Sequence, residues 1–278
     1  NLSAQQVIQL KNNWKFAKGA QQEASQIGFN DQSWEHVIVP HDWAIKGPFD
    51  KEVDKQLVAI TQNGEEVATE KTGRTGALPH IGQAWYRNHF EIPNYQSGQR
   101  VFLLFEGAMS EPKVYVNGEK VGEWNYGYSY FYFDITDAIK PDGQNLLAVH
   151  LRNVEKSSRW YPGAGLFRKV QLIIKNPEHI KIWGTFLTTP KVNENTALVK
   201  IKTLTVGEKL KATYTIIDPS GHTVTSFHNS ISFDGEFEQN IQVPYPQLWS
   251  PEHPHLYTAI TELYHGAELV DREETRFG

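Results

Sequence analysis

The sequence predicts an all-β protein of two sandwiches, a jelly roll over residues 1–176 and an immunoglobulin-like sandwich over 177–278. Short runs of alternating apolar and polar residues recur along the 278-residue chain, separated by Gly, Pro, Asn or Asp. No stretch repeats its apolar residues with the period of a long helix. Asn176-Pro177 is the predicted boundary, because aromatic residues become sparse beyond it.

The first 84 residues combine strand-like runs with irregular segments. Val37-Ile38-Val39 is a short apolar run that Pro40 ends, and His41-Asp42 follows. We interpret His41-Asp42 as structural, because adjacent side chains on an extended segment point to opposite faces and a third ligand is lacking. Asn63-Gly64 predicts a hairpin turn, and the polar segment 72–82 predicts a surface loop of the kind that often carries binding residues.

The middle of the chain predicts consecutive strands of the first sandwich. The predicted strands include Trp85–Ile92, Val101–Phe105, Asn145–Leu151 and a hairpin over Lys113–Val121 with a type I′ turn at Asn117-Gly118. Between this hairpin and Asn145, tyrosines occupy every second position from 126 to 132, and Phe131 and Phe133 alternate with the last of them. We favour a sandwich core and its flank for these rings, with a platform for stacking on sugars as the alternative.

Residues 158–168, Ser-Arg-Trp-Tyr-Pro-Gly-Ala-Gly-Leu-Phe-Arg, predict a rigid loop that leads into a strand. Pro162 has no N–H to donate, so the segment cannot lie in the middle of a sheet. The two glycines that follow permit a sharp turn. Alternation from Leu166 to Ile174 predicts a half-buried strand. The loop would present one cation and two rings, and a purely structural turn is the alternative.

Composition excludes several classes of function. The net charge of −5 argues against nucleic-acid and anionic-membrane partners, and no apolar run has the length of a membrane span. The lack of cysteine excludes disulfides and thiolate metal sites. Because the chain begins at Asn1, we expect a processed or trimmed bacterial protein, periplasmic or secreted, with a cytoplasmic location left open.

No catalytic, metal or cofactor site is predicted within these residues. The chain contains neither a Gly-x-Ser-x-Gly elbow nor a glycine-rich phosphate loop before a helix. His253-Pro254-His255 is the only close histidine pair, and it has no evident carboxylate partner. We therefore predict no metal ligand and no cofactor.

Several motifs occur in an order that resembles glycoside hydrolase family 2, the β-galactosidase group. They are Val39–Trp43, Gly82–Arg87, Arg159–Arg168, Leu248–Pro251 and Pro254–Tyr257. The resemblance implies a galactose-binding-like jelly roll, an immunoglobulin-like second domain, and a retaining β-glycosidase whose catalytic (β/α)₈ barrel lies further along the chain. Asn193-Glu194 is similar to the family's acid/base pair, but it lies in a polar turn, and we interpret it as a chance match.

The resemblance also implies substrate-binding residues in the first domain. The best candidates are Arg159, Trp160 and Tyr161, and the weaker ones are Arg74 and His80. The implied partners are a β-galactoside or related β-glycoside, the C-terminal barrel of the same chain, and a second copy in a homo-oligomer.

One departure from the family leaves the sugar open. Known galactosidases place an aspartate near this loop, where the present sequence has Ser157-Ser158-Arg159. Glucuronides, mannosides and other β-glycosides therefore stay open as substrates. A stand-alone carbohydrate-binding module and a structural or dimerisation module are the alternative functions.

Overall fold

The computed structural model describes residues 5–72, 75–229 and 235–278. Strands dominate, which confirms the predicted all-β class, and a short 3-10 helix spans Thr61–Asn63. The chain forms two compact units. The first comprises the described residues between 7 and 97 and between 101 and 173, and the second comprises residues 5–6, 98–100, 174–229 and 235–278.

Twelve strands precede the second sandwich in the part of the chain that the structure describes. They are β1 Gln5–Gln9, β2 Trp14–Lys18, β3 Glu35–Val37, β4 Gln56–Val58, β5 Thr69–Lys71, β6 Gly82–Phe90, β7 Arg100–Phe105, β8 Lys113–Val116, β9 Glu119–Glu123, β10 Phe131–Asp134, β11 Asn145–Asn153 and β12 Val170–Lys175. They form a four-stranded sheet in the order β1-β12-β7-β10 and a six-stranded sheet in the order β3-β2-β6-β11-β8-β9, with β4-β5 as a separate pair.

The core of the first unit lies between apolar faces of these strands. Trp14, Tyr86 and Phe105 are fully buried there. Asp31 and Arg87 form a buried ion pair, with Nε of Arg87 2.8 Å from Oδ2 of Asp31. Burial opposes ionisation of Asp31, but its bonds to Lys15 and Arg87 prevail and lower its pKa. This pair fixes strand β6, which carries part of the candidate site described below.

The sequence predicts the type of a turn more accurately than the residues at which strands begin and end. Asn117 and Gly118 both have positive φ, 52° and 90°, and close a two-residue turn, which confirms the type I′ hairpin. The strand predicted from Leu166 begins only at Val170. β4 and β5 pair as an antiparallel hairpin around Asn63-Gly64, but the connection spans ten residues (59–68) and includes the 3-10 helix.

The second unit contains a two-sheet sandwich, in agreement with the predicted immunoglobulin-like pattern. Its strands are β13 His179–Val192, β14 Thr196–Val206, β15 Leu210–Ile217, β16 Thr223–Asn229, β17 Glu236–Pro244, β18 Tyr257–His265 and β19 Glu268–Phe277. They form the sheets β13-β14-β17 and β16-β15-β18-β19. Alternate residues of β14, β15 and β18 point inward, so the core is built from period-two patterns that the sequence displays.

A buried ion pair lies within the second unit. Nζ of Lys175 is 2.9 Å from Oδ2 of Asp271 and 3.0 Å from Oε1 of Glu273. The side chains of Lys175 and Asp271 are 1% and 0% exposed. Oδ2 of Asp271 also accepts a hydrogen bond of 2.8 Å from the backbone N–H of Ile180. Because both charges are shielded from solvent, each is stabilised mainly by the other.

Lys175→Ala is expected to lower the free energy of unfolding by about 3–5 kcal/mol, because it leaves a buried carboxylate without its cation. Lys175→Met combined with Asp271→Asn removes both charges and keeps an acceptor for Ile180, so we expect a smaller loss. Urea denaturation followed by circular dichroism measures both. Lys200→Ala is the control, since its pair with Glu238 is 43% and 46% exposed. Equal losses in the Lys175 and Lys200 variants would contradict the assignment.

Candidate functional site

The carboxylate of Asp42 connects two segments of the first unit that are 120 residues apart in sequence. Oδ1 accepts hydrogen bonds from the Tyr161 hydroxyl (2.6 Å) and from the backbone N–H groups of Ala44 (3.0 Å) and Ile45 (3.2 Å). Oδ2 accepts one from the backbone N–H of Ala164, at 3.2 Å. Burial and the adjacent carboxylate both raise the pKa of Tyr161, so its hydroxyl keeps its proton as the donor. Asp42 is thus a structural anchor, as expected of a residue with four donors.

Backbone contacts continue this connection along the 158–168 loop. The N–H groups of His41 and Trp43 donate to the carbonyls of Leu166 (2.8 Å) and Ala164 (3.0 Å). Gly165 exchanges two hydrogen bonds of 2.9 Å with Met109. A side chain at Gly165, whose φ is +121°, would place its Cβ 2.3 Å from the Tyr86 hydroxyl. Only glycine fits at this close approach.

The outer part of the loop is held by residues near strand β4. Asp54 is buried, and its Oδ1 accepts a hydrogen bond from the backbone N–H of Lys156. Nε2 of Gln56 donates to the Ser158 carbonyl at 2.8 Å and to Oδ2 of Asp54 at 2.9 Å. Sequence reasoning missed both residues. Nothing in the local pattern of 54–56 indicates a partner 102 positions away.

Arg159 and Trp160 are the exposed tip of this anchored loop. The Trp160 ring is 59% exposed, but its Nε1 donates a 2.8 Å hydrogen bond to the Tyr128 hydroxyl, which fixes its orientation. Arg159 is exposed and makes no hydrogen bond or ion pair with any residue that the structure describes. The tip therefore offers an aromatic face and a free guanidinium to solvent.

His80 is brought to the same loop but from the inside. It is 1% exposed, and its ring lies edge-on to that of Tyr161 with centroids 5.9 Å apart. Nδ1 lies 2.9 Å from the Leu78 carbonyl, so this nitrogen carries the proton. Nδ2 of Asn153 donates to the carbonyls of His80 (3.0 Å) and Gly163 (3.1 Å). Asn153, which ends strand β11, was not predicted.

Two further residues singled out in the sequence are Arg74 and Asn193. Arg74 lies outside the described residues. Asn193 uses Oδ1 to accept the backbone N–H groups of Asn195 and Thr196, both at 2.9 Å, in the turn between β13 and β14, as expected of a structural turn. In the ranges that the structure covers, no group of three His, Asp or Glu side chains is arranged to hold a metal. No helix among those residues has the length and apolarity needed to cross a membrane.

Comparison with known families identifies the two sandwiches. The profile described as the sugar-binding domain of glycosyl hydrolases family 2 matches residues 7–177, and the profile described as glycosyl hydrolases family 2 matches 179–278. The chain thus belongs to glycoside hydrolase family 2 and corresponds to its two N-terminal domains.

Relatives and solved structures agree with this assignment. A β-galactosidase of Bacteroides ovatus is 34% identical over 95% of this chain, which spans 30% of that protein. A putative β-glucuronidase of Formosa agariphila is 31% identical over 96%, and the chain spans 24% of it. A family 2 member from Bacteroides cellulosilyticus has a TM-score of 0.84 at 29% identity, with 98% of this chain and 35% of that one covered. The chain thus spans about a third or less of these proteins.

Gly165→Ala is expected to lower the free energy of unfolding by about 2–5 kcal/mol, through overpacking against Tyr86 and backbone strain. Gly143→Ala is the matched control, because a Cβ there meets no atom within 4 Å and its φ is not positive. Thermal and urea denaturation measure both variants. Equal stability of Gly165→Ala and Gly143→Ala would contradict the close approach between Gly165 and the Tyr86 hydroxyl.

The stability of the first unit is expected to decrease in acid partly through His41. Its Nδ1 lies 2.8 Å from the Tyr86 hydroxyl, and burial lowers its pKa although Glu35 and Asp42 partly oppose this. Because the folded pKa is below the unfolded value of about 6.5, protonation favours unfolding as the pH falls.

In His41→Gln, the slope of unfolding free energy against pH between about 5 and 6.5 should become shallower by a fraction of 1.4 kcal/mol per unit. Urea denaturation at several pH values measures this slope. Burial also lowers the pKa values of His89 and His150 in the first unit, and these two histidines account for part of the slope that remains. Parallel curves for wild type and His41→Gln would contradict the expectation.

Proposed function

We propose that the complete protein is a retaining β-glycosidase that acts on β-galactosides. This chain would supply two non-catalytic domains, residues 1–176 and 177–278, which support a C-terminal (β/α)₈ barrel and line its sugar pocket. The family assignment supports the proposal, and several relatives carry the name β-galactosidase. These domains would need no metal and no cofactor for this role.

The exposed tip of the 158–168 loop is the observation that carries the proposed sugar contact. An exposed indole whose N–H is already bonded to Tyr128 offers its face to the apolar side of a sugar ring. The guanidinium of Arg159 offers several N–H donors to hydroxyls. Substrate contact by Tyr161, His80 and Arg74 stays a prediction, and burial of the first two favours a positioning role for them.

The same arginine favours β-glucuronides as a second candidate substrate. A guanidinium binds a carboxylate through two parallel hydrogen bonds, and no described carboxylate occupies Arg159. Three of the relatives carry β-glucuronidase in their names. We also propose that the protein is bacterial and exported, which the absence of cysteine fits. Assembly into a homo-oligomer stays a prediction.

Hydrolysis of a panel of chromogenic β-glycosides tests this proposal. The enzymes compared are this chain and the longest product of its gene. We expect activity only in the longer protein. There, Trp160→Ala should reduce kcat/KM at least about fivefold, mainly through KM, since it removes a stacking contact.

Arg159→Ala separates the two substrates. A larger loss with glucuronides than with galactosides would identify a carboxylate at the guanidinium, and Arg152→Ala serves as an exposed arginine control. Cleavage by this chain alone would contradict the proposal of non-catalytic domains. Sugar binding by this chain without hydrolysis in either protein would favour a stand-alone binding module.

A further inference from the structure

Three aromatic rings form one surface beside the tip of the loop. Tyr126 is 61% exposed and Trp160 59% exposed, and the half-buried Tyr128 lies between them. Tyr126 and Tyr128 precede strand β10, which begins at Phe131. Exposed rings in contact with one another mark a ligand groove or an interface more often than a chance arrangement.

Each ring of this surface is held by a specific contact. The Tyr128 hydroxyl accepts the indole N–H of Trp160 at 2.8 Å. Tyr126 and Tyr128 have centroids 5.7 Å apart at an interplanar angle of 66°. Tyr128 in turn lies edge-on to Phe167, at 6.2 Å, and its carbonyl accepts a 3.4 Å hydrogen bond from Arg168. The three rings are thus ordered before any ligand binds, which reduces the entropic cost of binding.

Gly127 fixes the backbone beneath the two tyrosines. A Cβ at this position would lie 2.7 Å from Sδ and Cε of Met109 and 3.0 Å from the Ala108 carbonyl, so a larger residue would require Met109 to move. The carbonyl of Gly127 accepts the backbone N–H of Ala108 at 3.1 Å. The tyrosines therefore project from a rigid segment, although the segment belongs to no strand.

Polar groups border the rings and favour a carbohydrate over an apolar protein surface. Trp124, 40% exposed, donates its N–H to Oγ of Ser129 at 2.9 Å, and Arg159 stands free next to Trp160. Sugars present apolar C–H faces and a rim of hydroxyls, which match ring faces and adjacent polar groups. A protein partner would need a larger continuous apolar patch.

We propose that Tyr126 and Tyr128 extend the sugar contact of Trp160 into a platform for a β-linked oligosaccharide, and that these two tyrosines bind sugar units beyond the two that flank the cleaved bond. The inference deepens the proposed function and rests on it for the nature of the ligand. It assigns an extended glycan, rather than a simple glycoside, as the class of substrate. Tyr126 serves the extension, because its ring packs against Tyr128, which in turn binds Trp160.

Calorimetric titration of this chain with β-linked tetrasaccharides of galactose, mannose and glucose tests the platform. The monosaccharides serve as reference ligands. We expect the wild type to bind at least one tetrasaccharide, and Tyr126→Ala to bind it about threefold to tenfold more weakly, with no change for the monosaccharide. Tyr126→Phe should retain the affinity, because it keeps the ring. Tyr245→Ala, which removes a 78% exposed tyrosine from the second unit, should also retain it.

Three outcomes would overturn the platform. The first is that the wild-type chain binds no tetrasaccharide, and the second is that Tyr126→Ala binds with unchanged affinity. The third is that Tyr126→Ala changes the molecular mass of the protein in solution, which would identify a protein interface. These outcomes are separable from failure of the proposed function. Hydrolysis of a simple nitrophenyl glycoside by the wild-type longer protein reports that function alone, because this substrate has no sugar unit that could reach Tyr126.

Discussion

The Asp42 carboxylate is the constraint on which the site depends. It accepts hydrogen bonds from the Tyr161 hydroxyl and the Ala164 N–H, late in the sequence of the first unit. It also accepts them from the backbone N–H groups of Ala44 and Ile45, early in that sequence. Loss of this carboxylate would be expensive, since the part-buried donors of Tyr161, Ala44 and Ala164 would be left without a partner. The conformation of the loop is therefore determined mainly by a residue outside it.

This anchoring divides the loop into an inner and an outer part with different roles. Tyr161 lies on the inner side, packed against the buried His80. Arg159 and Trp160 lie on the outer side, where they add little to the packing of the unit. A rigid inner side and an exposed outer side are expected of a binding loop. Folding already orders the loop, so little conformational entropy is lost when a ligand binds.

The sequence predicted the fold class, the order of the sandwiches and the type I′ turn at Asn117-Gly118, since these depend on local periodicity and turn chemistry. It predicted a strand from Leu166, but residues 164–166 bond instead with His41, Trp43 and Met109, and such distant partners leave no local signal. For the same reason Asp54 and Gln56 could not be found. The exposed Trp160 could be predicted, but its bond to Tyr128 could not.

The bond between Trp160 and Tyr128 bears on function because folding does not require it. An exposed indole N–H can bond to water at no cost, and holding two large side chains together loses rotamer entropy. Removing water from an exposed ring face is favourable only when another apolar surface covers it. A surface that orders three rings and leaves them uncovered is thus better suited to a ligand than to stability. The guanidinium of Arg159 has no partner among the described residues, and together with the ring faces it restricts that ligand to one with both apolar faces and polar edges.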